Sequence, residues 1–316
     1  MKKSAPTPQA EIHIAQLETT GDHALAPSTA RSVAPAFSPG RQAHVAFMEL
    51  GAKTDQLRVV TTQGKAVAAF EMKGLRAFVW DVSGGSLYAL SLAGRTRGRV
   101  AVCDVATGTQ AEATVVSSVE DTSLAMSPEK GTVWMAGGNP ETRITGLFKM
   151  KSTGNNSPWS LALRMPGPWS SIAVHPVSGI VHGLLHIEGA LQLVNEGKPR
   201  SPLEVFFKGV DTKAAHHHQV ALNQDGTLVA FVHGGELHVV GAPGSPATRL
   251  KVPGDGVCGA PAWHPDGKRV ACVRGGAIHV VDAASGAAKV VAGAVAVDDR
   301  IAFTPDGGGI AYARAG

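Results

Sequence analysis

Residues 260–273 read Ala-Pro-Ala-Trp-His-Pro-Asp-Gly-Lys-Arg-Val-Ala-Cys-Val, and this stretch decides the fold of the chain. A short apolar segment ends at Trp263, a Pro-Asp-Gly turn follows, and a second apolar segment runs to Val273. Aspartate side chains bond to the nearby backbone of a turn, and glycine accepts a positive φ angle. The pattern therefore predicts two short strands joined by a tight turn.

The same phrase recurs along the chain. Close copies lie at 303–312, Phe-Thr-Pro-Asp-Gly-Gly-Gly-Ile-Ala-Tyr, and at 222–231, Leu-Asn-Gln-Asp-Gly-Thr-Leu-Val-Ala-Phe. Taking the last residue of the first strand as an anchor, the copies fall at Phe37, Trp80, Met126, Val174, Leu222, Trp263 and Phe303. Successive anchors are 43, 46, 48, 48, 41 and 40 residues apart, a spacing typical of four-stranded propeller blades. The sequence predicts an all-β, seven-bladed β-propeller.

The two ends of the chain predict how this propeller closes. The copy at Phe303 reaches Gly316 after only two strands, so half of its blade is missing there. Residues 11–21 resemble the third strand of another blade, at 277–286, and no first or second strand precedes them. We expect residues 1–30 to complete the last blade, because closure of the ring removes exposed sheet edges.

The repeated phrase resembles the TolB-like, WD40-like (PD40-type) propeller repeats, in which an aromatic residue, Ser-Pro-Asp-Gly and an Ile-Ala-Phe strand follow one another. This resemblance covers nearly all of the chain and implies a propeller, but little about its chemistry. The Trp80-Asp81 dipeptide carries no weight in this assignment. It aligns with the end of a first strand, whereas the dipeptide of WD40 repeats belongs to a later strand.

Composition agrees with one large β domain over residues 1–316. Hydrophobic residues make up 44% and charged residues 17%, with 38 glycines and 19 prolines, as expected for many short strands joined by tight turns. The net charge of +4 comes without a long basic run or stacking aromatic residues, so we expect no nucleic-acid partner.

The N-terminus and the cysteines predict the compartment. No apolar stretch follows Met1-Lys2-Lys3, so we expect neither secretion by that route nor membrane insertion. The three cysteines, Cys103, Cys258 and Cys272, include no CxxC pair and favour a reducing compartment. The predicted location is cytoplasmic.

Candidate site residues come from the segments that lead into the first strand of each blade, because these segments surround the mouth of the central channel. The candidates are His216, His218, Arg76, Asp121, Trp169, Asp298, Asp299 and Arg300. Alternate residues of a strand share a face, so His216 and His218 could converge on a divalent metal if another blade supplied a third ligand. Otherwise these histidines are polar loop or channel residues, and no other cofactor is expected.

Two longer connections suggest a surface for a partner. Residues 137–143 and 152–159 form polar, turn-rich insertions, and insertions on a rigid scaffold often carry recognition. The candidate contacts are Asn139, Glu141, Arg143 and Trp159.

These features lead to one functional prediction and two alternatives. The prediction is a non-enzymatic scaffold that binds a protein partner through one face and the loops of the third and fourth blades. The first alternative is a propeller-type hydrolase or lactonase, with or without a metal, at the channel mouth. The second is a sensor of a small ligand or peptide. No nucleophile elbow or HExxH motif occurs, but propeller enzymes gather their residues from several blades, so short motifs do not decide between these functions.

Overall fold

The computed structural model describes residues 9–26, 30–40, 43–92, 97–117, 123–129, 131–138, 145–151, 160–164, 169–187, 190–195, 204–210 and 219–316. The regular elements of these residues are all β-strands, which confirms the predicted all-β class. No helix in the described ranges is long and apolar enough to cross a membrane.

The strands are short and follow one another closely. The first ten are β1 (Ala10–Gln16), β2 (Asp22–Ala26), β3 (Arg31–Phe37), β4 (His44–Leu50), β5 (Asp55–Thr61), β6 (Ala66–Met72), β7 (Leu75–Trp80), β8 (Ser86–Leu92), β9 (Arg97–Asp104) and β10 (Thr109–Ser117). The next eight are β11 (Ser123–Met126), β12 (Thr132–Gly138), β13 (Thr145–Lys151), β14 (Ser160–Arg164), β15 (Trp169–Val174), β16 (Val181–Ile187), β17 (Ala190–Asn195) and β18 (Glu204–Val210). The last ten are β19 (Val220–Leu222), β20 (Val229–His233), β21 (Glu236–Val240), β22 (Thr248–Leu250), β23 (Ala262–Trp263), β24 (Arg269–Arg274), β25 (Ala277–Asp282), β26 (Ala288–Val295), β27 (Ala302–Phe303) and β28 (Gly309–Ala315).

Antiparallel pairing groups these strands into four-strand meanders, which we call units. The units are β3–β6, β7–β10, β11–β14, β15–β18, β19–β22, β23–β26 and the combination of β27, β28, β1 and β2. Three units are separate sheets, and the others join in two larger sheets through single residue pairs, Ala10 with Arg31 and Ser117 with Gly138. The grouping agrees with the predicted architecture, while the count of seven blades stays a prediction.

The chain ends meet within one unit, as the sequence predicts. Strand β1 pairs with β28 in unbroken antiparallel register, from Ala10 opposite Ala315 to Gln16 opposite Gly309. Strand β2 then pairs with β1 as the fourth strand. The carboxylate of Asp22 on β2 accepts hydrogen bonds from the Tyr312 hydroxyl, at 3.0 Å, and from the guanidinium of Arg314. The N-terminal segment therefore completes the last unit, with side-chain as well as backbone bonds.

The core lies between units and not within any one sheet. Each second strand is buried on both faces, as in Arg269–Arg274, where the four central residues are all buried. An outer strand such as Ala66–Met72 is mostly exposed. One apolar cluster joins Ile12 and Ala311 of the last unit to Val45 and Phe47 of the first. Burial of this apolar surface closes the ring from within.

Tryptophans at the repeat anchors add polar bonds between units. The indole Nε1 of Trp80 donates to the carbonyl oxygen of Ala36 at 3.1 Å, and that of Trp263 donates to Ala221 at 3.0 Å. Each bond joins the end of one first strand to the first strand of the preceding unit. A buried indole is usually paired in this way, because an unbonded N–H in the interior is unfavourable.

Candidate functional site

The two ends of each unit differ, and they define two faces of the molecule. At one end, which we call the upper face, the first strand begins and the second strand turns into the third. At the other, the lower face, the first strand turns into the second through the Pro-Asp-Gly type of turn. The Gly275-Gly276 turn between β24 and β25 is thus upper, and the turn at Gly267 is lower.

A cavity of about 390 Å³ lies where the first strands of several units converge. Its lining comprises Ala34, Pro35, Ala36, Met48, Arg76, Ala77, Phe78, Ser123, Leu124, Ser171, Ile172, Gln219, Val220 and Arg300. Almost all of these residues belong to first strands or to the residues just before them. The cavity is therefore the upper part of the central channel that the sequence predicts.

Hydrogen bonds between units hold the wall of this cavity. The Ser123 hydroxyl accepts the backbone N–H of Ile172 at 3.3 Å, and the Ser171 hydroxyl accepts that of Val220 at 3.2 Å. Each serine thus accepts a backbone N–H of the next first strand and links two units. The wall is fixed before any ligand arrives.

Asp298 performs a similar role where the ring closes. One oxygen, Oδ2, accepts the backbone N–H of Ala34 at 3.0 Å and lies 3.3 Å from Nε of Arg300. Ala34 has a φ of 55°, in a region that favours glycine, and it sits at an irregularity in the pairing of β3 with β4. The Asp298 side chain is only 8% exposed. It holds a strained backbone position and orients Arg300 toward the cavity.

Two guanidinium groups line the cavity. Arg300 is paired with Asp298, whereas Arg76 is exposed and makes no ion pair within the described part of the chain. The hydroxyls of Ser123 and Ser171 and the amide of Gln219 supply the neutral polar groups. Among the described lining residues the only charged side chains are cationic, so the site is suited to a carboxylate or another anionic group.

Apolar side chains are also exposed on the upper face. Val257, Val295 and Val297 are 51%, 60% and 43% exposed, and all three lie on the upper face. Val295 pairs with Ala277, which follows the upper turn of its unit, and the N–H of Val297 bonds to the carbonyl of Ala313 at the upper end of β28. Val297 is directly followed by Asp298, so apolar and charged groups adjoin.

The structure brings some of the predicted site residues together and separates one of them. Arg76 and Arg300 line the cavity, and Asp298 is paired with Arg300; that these residues form a functional channel mouth stays a prediction. Asp299 instead packs against Gly259. The contact is so close that a Cβ atom added to Gly259 would lie 2.6 Å from the Cβ of Asp299. The remaining candidates are not placed: Trp169 begins β15 but its side chain is not described, and His216, His218, Asp121, Asn139, Glu141, Arg143 and Trp159 lie outside the described residues. Within the described ranges no three His, Cys, Asp or Glu side chains are grouped to hold a metal ion.

Sequence reasoning missed the neutral lining residues, although the repeat contains a signal for them. Ala34, Ala77, Ser123, Ser171, Gln219 and Arg300 each stand three residues before a repeat anchor, and all six line the cavity. A fixed offset from the anchor corresponds to one height along the channel. Comparison of the copies at this offset would have identified the ring.

A second cleft, of about 550 Å³, lies between the β3–β6 and β7–β10 units. Its charged residues are Glu71, Lys73, Arg99 and Glu112, and Arg99 and Glu112 pair with each other at 3.3 Å. Positive and negative groups are balanced there, so the cleft does not select a ligand by charge.

Comparisons with known proteins support the fold. No protein-family model matches the sequence, and no curated protein matches it. Among solved structures, the chain is similar to one assigned as TolB from Agrobacterium tumefaciens, with 12% identity over 98% of both chains and a TM-score of 0.55. It is also similar to TolB from Acinetobacter baumannii, with 13% identity over 86% of this chain and 65% of that one and a TM-score of 0.53. A third similar structure is the β-propeller domain of Cps50 (Swd1) from Myceliophteria thermophila, with 10% identity, coverage of 92% and 98%, and a TM-score of 0.64. The chain therefore has a TolB-like, WD40-like β-propeller fold.

Proposed function

We propose that this protein is a non-enzymatic propeller scaffold that binds a protein partner through its upper face, with a carboxylate of the partner seated at the central cavity. The observation that carries the proposal is the pair of arginines, Arg76 and Arg300, on a cavity wall built by several units. Arginine presents a planar fork of donors that matches a carboxylate.

The apolar and rigid parts of the face support the same function. The exposed valines 257, 295 and 297 offer apolar contact on the same face as the cationic centre, and interfaces combine an apolar core with polar groups that fix orientation. The hydrogen bonds of Ser123, Ser171 and Asp298 hold the wall in advance. Binding to a preorganised surface sacrifices little conformational entropy.

The two longer connections differ in their relation to this face. Strand β12 ends at Gly138 and β13 begins at Thr145 on the upper face, whereas β13 ends at Lys151 and β14 begins at Ser160 on the lower face. The proposal therefore includes Asn139, Glu141 and Arg143 in the partner surface and leaves Trp159 out of it. This narrows the predicted binding loops to one of the two.

The hydrolase alternative needs a free carboxylate or a metal at the channel mouth. Of the predicted acidic residues, Asp298 already accepts a backbone N–H and pairs with Arg300, and Asp299 packs against Gly259. Neither arrangement resembles a general base that faces a substrate. Among the described residues, the geometry favours binding over hydrolysis.

Matched variants on the two faces test the proposal. Arg76→Glu reverses a charge at the cavity, and Lys268→Glu makes the same change at an exposed turn on the lower face. Val295→Asp and Val177→Asp form a second pair, since Val177 is 78% exposed in the lower turn between β15 and β16. The immobilised proteins are exposed to native extract, and a stoichiometric partner is quantified by mass spectrometry.

We expect the wild type and both lower-face variants to retain the partner equally. Both upper-face variants should retain it at least about tenfold less, because a charge placed in an interface against its complement is strongly unfavourable. Equal retention by all five proteins, or loss with the lower-face variants alone, would refute the upper-face proposal. The cytoplasmic location stays a separate prediction.

A further inference from the structure

Two of the three cysteines lie together between neighbouring units. Cys258 lies in the segment that connects β22 to β23, and Cys272 lies in β24. Both are completely buried and belong to one apolar cluster. The N–H of Gly259 bonds to the carbonyl of Val273 at 2.8 Å, which holds the segment after Cys258 against the strand that contains Cys272. The N–H of Cys258 itself bonds to Gly235 of the preceding unit at 2.9 Å. The backbone fixes both thiols in place.

A partly buried guanidinium lies beside one of these cysteines. Nη1 of Arg274 is 4.0 Å from the Sγ atom of Cys258. The two terminal nitrogens of Arg274 bond to the carboxylate of Glu236 at 3.0 and 3.2 Å, and Nη1 also bonds to the carbonyl oxygen of Val252 at 3.1 Å. Arg249 approaches the same carboxylate at 3.3 Å. These bonds hold the Arg274–Glu236 ion pair beside one sulfur, with the guanidinium as the nearer group.

The two thiols differ in acidity. A hydrogen bond from the Cys272 thiol is the largest effect and lowers the pKa of Cys258; burial opposes it, the charge of Arg274 lowers the pKa further, and the charge of Glu236 raises it. The same hydrogen bond and burial raise the pKa of Cys272. Of the two, Cys258 is the more acidic thiol.

Cys103 supplies an internal comparison. It is equally buried, in the cluster between the β3–β6 and β7–β10 units. Burial raises its pKa to about 12. A buried thiol of this kind is chemically inert, whereas a thiol next to an arginine and a second thiol is reactive.

We propose that Cys258 and Cys272 form a peroxide-reactive dithiol site, in which Cys258 is oxidised first and Cys272 then closes a disulfide with it. The Cys258 thiolate attacks one oxygen of hydrogen peroxide; an S–O bond forms, the O–O bond breaks, and the departing hydroxide takes up the proton released by Cys258 to give water. The sulfur of Cys272 then attacks that of Cys258, an S–S bond forms, and hydroxide leaves with the Cys272 proton as a second water. Two thiols are oxidised and one peroxide is reduced to two waters.

The oxidant has a short path to the site. Val257, the residue before Cys258, is about half exposed on the upper face. Gly254 and Gly256 just before it are exposed and have positive φ angles of 99° and 89°. This segment contains no strand, and local opening of such segments admits small solutes at low free-energy cost. Hydrogen peroxide, which is close to water in size, is suited to that path.

The experiment uses the full chain in its folded state. Wild-type protein is treated with hydrogen peroxide, quenched with catalase, denatured in the presence of an alkylating reagent and mapped by mass spectrometry. Cys258→Ala, Cys272→Ala and Cys103→Ala are treated in parallel, with dimedone present to trap sulfenic acid. Alanine replaces each buried thiol without introducing a new polar group.

We expect a Cys258–Cys272 cross-linked peptide in the wild type and in Cys103→Ala, with the loss of two hydrogen atoms. Cys272→Ala should accumulate the dimedone adduct at Cys258, and Cys258→Ala should give neither product. Oxidation of Cys258 should be at least about tenfold faster than that of Cys103, because the thiolate fraction falls tenfold for each unit of pKa.

Equal rates at Cys258 and Cys103, or a cross-link that forms only after denaturation, would overturn the proposal. So would an adduct at Cys272 in place of Cys258. If an alanine variant fails to fold, the wild-type peptide map still decides, since both the cross-link and the relative rates are read from it. The site is independent of partner binding, and either result leaves the proposed scaffold function untouched.

Discussion

The Nε2 atom of His264 lies 3.0 Å from the carbonyl oxygen of Gly307, although 43 residues separate the two in the chain. Nδ1 of His264 lies 3.0 Å from the backbone nitrogen of Asp266, and Nη2 of Arg269 lies 2.8 Å from Nε2, so the ring contacts its own turn as well as Gly307. The lower turn of one unit thereby holds the lower turn of the next. Asn223 makes the equivalent bond to Gly267 at 3.3 Å.

The first prediction concerns the space between these turns. Gly307 has a φ of 74°, and a Cβ atom there would lie 2.4 Å from Nε2 of His264. Gly286 has a φ of 72°, but a Cβ atom added to it would have no other atom within 4 Å. Gly286→Ala should lower the free energy of unfolding by about 1–2 kcal/mol, the cost of the backbone conformation. Gly307→Ala should lower it by at least about 1 kcal/mol more, because the neighbouring ring must move.

Urea unfolding of both variants measures this difference, and a double variant confirms its origin. With His264→Ala the ring is gone, so Gly307→Ala in that background should cost no more than Gly286→Ala. Equal losses for the two single variants would show that the contact between turns does not constrain Gly307.

The second prediction isolates the hydrogen bond of Trp80. Trp80 and Trp134 are similarly buried, at 6% and 5% exposure, but only Trp80 bonds its Nε1 within the described residues, to Ala36. Both lose the same volume on substitution by phenylalanine. Trp80→Phe should therefore be less stable than Trp134→Phe by about 1 kcal/mol, the usual net value of one hydrogen bond. Thermal unfolding measures the difference, and a Trp134→Phe variant as unstable as Trp80→Phe would assign the effect to packing alone.

The third prediction concerns closure of the ring at Asp298. Asp298→Ala leaves the N–H of Ala34 without its acceptor and should cost about 1–3 kcal/mol of stability. Asp298→Asn retains a carbonyl oxygen at that position and should cost less. Chemical unfolding of the two variants ranks them. An asparagine variant as unstable as the alanine variant would show that the charge pair with Arg300 dominates.

The fourth prediction concerns acid stability. Burial raises the pKa of Asp266, but the N–H of Lys268, the side chain of Arg269 and the N–H of Arg269 outweigh it and bring the pKa from 3.8 down to about 2. Because the folded-state pKa is depressed, the carboxylate stabilises the fold above pH 3.8, and this contribution is lost as pH falls toward 2. Partial exposure reduces its size to roughly 1–2 kcal/mol.

Asp266→Asn should remove this contribution. Urea unfolding at a series of pH values should show the variant less stable than the wild type near neutral pH, with the two converging as pH falls from about 4 to about 2. A stability difference that does not change over this interval would contradict the assigned cause.

The candidate site was predictable only in part. The anchors predicted Arg76 and Arg300, which line the cavity, and Asp298, which pairs with Arg300, because the start of each first strand is a fixed position in the repeat. They did not reveal that Asp299 packs against Gly259 while Asp298 accepts the N–H of Ala34. Outside a regular strand, the directions of adjacent side chains do not follow from their spacing in the sequence. Nor did spacing distinguish Cys258 and Cys272 from Cys103, because the contact with Arg274 depends on how two units pack.

By itself the sequence determined the all-β class, the repeating unit and closure by the N-terminal strand. Turn chemistry at Asp266-Gly267 and strand periodicity are local properties, and each copy of the repeat contains the same signals. Only the tertiary structure decided which groups meet across units, as in His264 with Gly307, Asp298 with Ala34 and Cys258 with Cys272. Those contacts depend on how one unit is oriented against the next. The packing of the two facing surfaces sets that orientation, so the sequence of one repeat does not determine it.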